Sequence, residues 1–338
     1  MKVLITGGAG FLGRRLARKL LQRGALRNAA GIEESIDRLV LFDVVKADGF
    51  TDPRVCVVTG DIADPLAISD LVDTDTASIF HLAAVVSSQA EADFDLGMRV
   101  NVDALRLLFE RCRQLGHRPK VLFASSVAVY GGELPEIVRD DTALSPKSSY
   151  GVQKAIGELL LSDYSRRTFI DGRGLRLPTI SVRPGKPNKA ASSFASGIIR
   201  EPLNNEATVC PVTADTRLWL LSPRQAIECL VWAHDLESEA FAQHPVLNLP
   251  GVSVTVWEMV DTLGRVAGKQ AIDKIRWESD PVVQRIVGSW PGRWDMTRAH
   301  ALGFKGDADF EGIVRAYMAD DLAQVKNLLG RYRAARRW

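Results

Sequence analysis

The stretch MKVLITGGAGFLGRRLARKLLQRG, residues 1–24, decides the fold. Its run KVLIT reads as a buried strand, glycines follow at every third position (Gly7, Gly10 and Gly13), and a helical pattern begins at Phe11. A strand giving way to a helix through such a turn is the setting in which backbone cradles a dinucleotide. The first glycine permits the sharp turn and the second lets the chain approach a pyrophosphate. The third lets helix and strand pack closely, while the helix N-terminus attracts phosphate. Phe11 and Leu12, between the last two glycines, belong to the same cradle. The motif alone is also compatible with an ordinary tight turn, so the next strand matters. RLVLFD ends on Asp43, where a carboxylate bonds both hydroxyls of an adenosine ribose and repels a 2′-phosphate, favouring NAD over NADP. The gap from Gly13 to Asp43 exceeds the usual ~20 residues, and LRNAAGIEESID reads as a surface insertion that accounts for it.

Further apolar runs alternate with amphipathic stretches. VCVVTGD, SIFHLAA, KVLFASSVAVYG and LRLPTISV read as buried strands; RVNVDALRLLFERCRQLG and SYGVQKAIGELLLSDYSRR read as helices. This alternation predicts βαβ units and a parallel sheet covered on both faces, an α/β doubly wound fold. The rhythm weakens after about residue 183, and TRLWLLS with the helical PRQAIECLVWAHDLES is expected to return to the sheet. The expected division is a dinucleotide domain at 1–182 rejoined by 215–250, and a smaller mixed substrate domain at 183–214 and 251–338.

Composition excludes several classes. Among the 338 residues, 46% are hydrophobic and 25% charged, and the formal net charge is +2. Such a balance argues against bulk electrostatic binding to nucleic acid or an anionic membrane. No apolar run reaches the ~20 residues of a membrane span, and the N-terminal stretch lacks the pattern of a signal peptide. Cys56, Cys112, Cys210 and Cys229 have no C-x-x-C pairing, which predicts free thiols, a cytoplasmic location and no zinc site. The acidic QAEADFD (residues 89–95) lacks His or Cys companions and reads as a solvated loop, so no metal is expected. His81 reads as a structural histidine ending a strand, and the basic AQVKNLLGRYRAARRW as a solvated helix end.

The chemistry lies in SSYGVQKAIGELL, which puts Tyr150 and Lys154 four apart on one helical face. A phenol of pKa ~10 must be lowered by about two to three units to serve as a base, ~3–4 kcal/mol. A neighbouring ammonium and a positive nicotinamide ring can supply that. Ser126, ending the preceding strand, is placed to hydrogen-bond the oxygen that Tyr150 deprotonates.

Together these motifs resemble the extended short-chain dehydrogenase/reductase family, which includes sugar-nucleotide epimerases and dehydratases. The resemblance carries through VLNLPGVSVTVWEMVDTLGRVAG and DMTRAHALGF, nearly the whole chain. It implies a seven-stranded Rossmann sheet, a small substrate domain and a homodimer. It further implies that Asp61 and Ile62 meet the adenine, that Ala83 lines the cofactor channel and that Thr179 lies near the nicotinamide. Asn101 matches a helix residue of structural or proton-relay role. Dehydratases carry an acidic pair after the Ser or Thr; here Val127 and Ala128 follow Ser126. An epimerase would bind a diphosphate through Arg217, yet RLWLLSPRQA departs from the usual run. VRPGKPNKAASSFASGIIREPL, with TRLWLLSPR and RIVGSWPGRWD, is similar to the D-erythronate dehydrogenase subgroup. That likeness implies NAD-dependent oxidation at C2 of a four-carbon sugar acid. Lys186, Asn188 and Arg217 are then candidates for the carboxylate and Ser87 for a sugar hydroxyl. A nucleoside-diphosphate-sugar 4-epimerase is the alternative, and a non-catalytic NAD-sensing protein a more distant one, disfavoured because Tyr150 and Lys154 both stand.

Overall fold

The computed structural model describes residues 1–187 and 190–322; Asn188 and the basic stretch 323–338 lie outside the described residues. The strands that position the site are β1 (Lys2–Thr6), β2 (Arg38–Asp43), β3 (Val55–Thr59), β4 (Thr76–His81), β5 (Lys120–Ser126), β6 (Asp171–Leu177), β7 (Thr179–Ile180), β8 (Arg217–Leu221), β9 (Val246–Asn248) and β10 (Val252–Thr255). Seven form one parallel sheet in the order β9-β6-β5-β4-β1-β2-β3. The chain runs outward from β1 to β3 and then crosses to β4 on the other side of β1. That reversal opens a crevice at the carboxyl ends of β1 and β4, where a doubly wound sheet receives its ligand. The insertion before β2 is a short hairpin, Ala25–Arg27 paired with Glu33–Ser35.

Strand alternation feeds two cores. Val3 and Ile5 pack under Leu16 and Leu20 of α1 (Phe11–Arg23) and Leu230 of α5 (Pro223–Asp235), once α2 (Ala104–Leu115), α3 (Ser149–Arg166) and α4 (Phe194–Leu203) have intervened. Leu4, Ile79 and Phe123 face the other way, onto Leu105, Leu108 and Phe109 of α2 and Leu161 of α3. Each such fully buried side chain contributes ~1.5–3 kcal/mol. A third core joins Val182, Ile198, Leu218 and Leu220 to Met259 of α6 (Val256–Ala267) and Ile313 of α7 (Phe310–Tyr317). The expectation that TRLWLLS returns to the main sheet is corrected here. β8 pairs with β7 and β10 in a separate three-stranded sheet, and β9 takes the seventh place instead. Leu218 and Leu220 bury in the third core, which holds β8 to that side.

The sheet's other end, away from the crevice, carries a buried polar network. Lys120 Nζ donates to the carbonyls of Arg27 (2.9 Å) and His234 (3.1 Å), and Arg173 Nη1 donates to His234 (2.7 Å) and Leu236 (2.8 Å). These cations satisfy carbonyls left open at the C-terminus of α5 and meet the negative end of its dipole. His234 bonds Ser78 Oγ at 2.7 Å and Asp235 at 3.1 Å. Ser78 and His234 are fully buried, so this Ser-His-Asp alignment serves packing and offers no nucleophile to solvent.

Burial pushes His234 down to about 4 and His81 down to about 3. The unfolded chain, with ordinary histidines near 6.5, therefore binds more protons than the folded one between those values. Stability falls as pH drops through that window, by roughly 2 kcal/mol per histidine at pH 5. Lys120, lowered to about 8, titrates above this range. A urea midpoint measured at pH 7 and at pH 5 is expected to be clearly lower at pH 5; equal midpoints would contradict neutral burial of the two rings.

Candidate active site

The glycine-rich turn is shaped by contacts that no side chain could share. Gly7 adopts φ +72°, and a Cβ there would lie 2.8 Å from the Ala83 nitrogen; one on Gly13 would lie 2.2 Å from the Gly7 oxygen. Gly8, absent from the expected set, is equally tight, with Leu41 Cα at 2.9 Å from its would-be Cβ. Gly10 begins α1 without a side-chain cap, and the first turn holds no acidic residue. The N-terminal N–H groups and the helix dipole are thus directed at whatever anion enters the crevice. Asp43 ends β2 beside this turn and accepts from the Ala9 N–H at 3.0 Å, which orients its carboxylate. This end of the crevice fits a dinucleotide: bare backbone for the pyrophosphate and an oriented acid for a ribose.

From there a cleft of about 490 Å³ runs past Gly7, Gly10, Phe11, Leu12 and Gly13 to Ser126, Tyr150 and Lys154. These last three candidate residues meet because two elements are pinned together. Ser148 caps α3 by accepting from Gly151 N at 3.2 Å. Gly151 itself touches the turn after Ser126, since a Cβ on it would lie 2.1 Å from the Ala128 oxygen. Ser126 lines the same cleft as Tyr150 and acts to lower its phenol pKa. Lys154 is buried, donates to the Ala124 carbonyl at 2.8 Å, and lies 5.7 Å from the centre of the Tyr150 ring. One turn on, Glu158 forms a buried pair with Arg176 at 2.8 Å and accepts from Ser125 at 2.5 Å, linking α3 to β5 and β6. Asn101 spans Val85 N (2.8 Å), Val85 O (2.9 Å) and Gln153 Oε1 (2.7 Å), fixing the loop after β4 to α3.

Burial governs the titration of both groups. Desolvation pushes the phenol up to about 12, against the lowering effects of Ser126 and Arg183, and burial brings Lys154 down to about 8 despite Glu158. A positive nicotinamide beside the phenol would favour its ionised form.

Other expected residues distribute unevenly. Ser87 and Thr179 line the cleft and are buried, and Ser87 Oγ already accepts from Ala191 N at 3.0 Å. Ala83 backs the glycine turn. Lys186 is exposed on the cleft wall. Ile62 points into the core, and Asp61 pairs with Arg99, its carboxyl held below the usual range by that guanidinium. Arg217 is not brought to the cleft. It sits half-buried on β8, donating to Ser253 at 3.2 Å and packing over Gly292. Two basic residues that the sequence reading passed over do line it: Arg183, just after β7, and Arg200 on α4. Trp290 lines the cleft as well. No cluster of metal-ligating side chains occurs among the described residues, and no described helix is long and apolar enough to cross a membrane.

This combination of switch-point crevice, glycine turn and Ser-Tyr-Lys cleft defines an NAD-dependent oxidoreductase of the doubly wound class. The chain belongs to the NAD dependent epimerase/dehydratase family, whose model matches residues 3–239. Over 320 residues it is 64% identical to D-erythronate dehydrogenase of Cupriavidus necator, covering 95% of this chain and 98% of that protein. It is 47% identical to D-erythronate dehydrogenase of Haemophilus influenzae, covering 95% and 100%. A crystal structure described as a nucleoside-diphosphate-sugar epimerase from Agrobacterium tumefaciens superposes with a TM-score of 0.89 at 40% identity, covering 96% and 95%.

With Asp43 so placed, wild-type protein is expected to use NAD at least about 100-fold better than NADP, a preference resting on repulsion of the 2′-phosphate. Asp43→Asn keeps the acceptor for Ala9 and removes the charge, and should narrow the preference at least tenfold. Initial rates with both cofactors check this; an unchanged ratio would remove Asp43 from the specificity account.

Proposed function

We propose that this protein oxidises the C2 hydroxyl of a small sugar acid, D-erythronate, to the 2-oxo acid with NAD. The full-length match to two D-erythronate dehydrogenases carries this reading, and the cleft supplies residues suited to the chemistry. Bound NAD provides the hydride acceptor. Ser126 orients the C2 hydroxyl and steadies charge building on its oxygen. Tyr150 takes the hydroxyl proton as the C2–H bond breaks and hydride leaves. Lys154 stabilises the phenolate and holds the cofactor ribose. We place the cofactor on the glycine turn, Asp43, Ala83 and Thr179, and the sugar hydroxyls near Ser87.

Purified protein given NAD and a panel of four- to six-carbon aldonates should raise the absorbance of reduced nicotinamide with D-erythronate. No rise with any acid, together with epimer formation from a UDP-sugar and no net NADH, would establish the epimerase reading instead. We further propose a cytoplasmic homodimer. Free, largely buried cysteines suit a reducing compartment. Light scattering reads the mass.

A further inference from the structure

The substrate end of the cleft holds a cation with nothing to neutralise it. Arg183 lines the cleft close enough to Tyr150 for its charge to act on the phenol. Its backbone is fixed on both sides: its N–H donates to Ser196 Oγ at 3.0 Å, and its carbonyl accepts from Arg200 Nη1 at 2.6 Å. Its guanidinium, by contrast, has no hydrogen-bond or carboxylate partner among the described residues. Arg200 is satisfied separately by Glu201 at 2.5 Å. The local sum is therefore two arginines against one glutamate, an excess of one positive charge. Charges withdrawn from water are ordinarily paired, and a guanidinium fork matches a carboxylate in a bidentate way. The cofactor's phosphates have an anchor of their own in the uncapped N-terminus of α1.

We propose that Arg183 binds the substrate's carboxylate, buttressed by Arg200, and so makes the cleft select monoanionic 2-hydroxy acids over neutral sugars. This rests on the reading of the cleft as an aldonate oxidation site. It takes over the task that sequence alone assigned to Lys186, Asn188 and Arg217. The C1 carboxylate on Arg183 leaves the adjacent C2 hydroxyl facing Tyr150 and Ser126. Arg200 is a positioning residue: it touches Arg183 and leaves the fork free.

Two readouts test it, using the full chain loaded with NADH for binding and with NAD for turnover. D-erythronate should bind the wild-type NADH complex, and Arg183→Met should weaken that binding at least about 100-fold, with Arg183→Lys between. NADH affinity and the thermal midpoint should stay unchanged in both variants, because the side chain has no structural partner to lose. In turnover, wild type should prefer D-erythronate to its uncharged amide, and Arg183→Met should abolish the preference. Equal binding of the acid by wild type and Arg183→Met overturns the clamp, as does a wild-type complex that binds no acid. Binding that depends on Arg183 while wild type oxidises no aldonate upholds the clamp and overturns the oxidation reading.

Discussion

Replacing Tyr150 by Phe is expected to lower kcat by roughly 10²–10⁴-fold, the range for loss of a positioned general base, while NAD affinity and thermal stability stay near wild type. The ring remains to pack against Lys154, whose Nζ lies 5.7 Å from its centre. Only the hydroxyl is lost. Because the buried phenol stands at about 12 in the chain alone, proton removal is demanding, and wild-type kcat should rise with pH until the cofactor-lowered phenol titrates. The Phe variant should lack that limb. A variant with wild-type kcat, or with the same pH rise, would exclude Tyr150 as the base. Steady-state rates over pH 6–10 decide it.

Breaking the Glu158–Arg176 pair should have the largest effect on stability. Glu158 accepts from Arg176 Nε at 2.9 Å and Nη2 at 2.8 Å, and both residues are buried. Glu158→Leu leaves the guanidinium without its carboxylate and should cost ~3–5 kcal/mol. Removing both charges with Glu158→Leu and Arg176→Met should cost less than the two single changes summed, since neither partner of the pair is then left without the other. Glu158 also supports the ammonium of Lys154 against burial. The single variant should therefore lose activity beyond its loss of folded protein. Denaturant midpoints for the four chains measure the coupling, and additive losses would show that the pair is not a unit.

What was legible in the sequence is what short segments must satisfy by themselves. Gly7 takes a positive φ and Gly13 abuts the Gly7 carbonyl, both requirements set within the turn itself, so their spacing announces the cradle. Tyr150 and Lys154 share a helix face by periodicity alone, and Asp43 ends its strand as the apolar run implies. Arg183 and Arg200 could not be read this way. They lie on separate elements and become neighbours only when α4 folds back against the segment after β7. The placement of Arg217 was hidden for a related reason: its neighbours Leu218 and Leu220 anchor β8 in the third core, away from the main sheet. The phenol's raised pKa was equally hidden, because it follows from burial, which the Y-x-x-x-K spacing does not encode.

The most direct test of the account follows the hydrogen itself. D-erythronate carrying deuterium at C2 is incubated with NAD and the wild-type protein, and the reduced cofactor is analysed by mass spectrometry. The account predicts one deuterium in the NADH, with a slower rate if C2–H cleavage limits turnover, and an equal yield of 2-oxo acid. Unlabelled NADH, or deuterium retained in the acid while no net NADH forms, would contradict hydride transfer from C2.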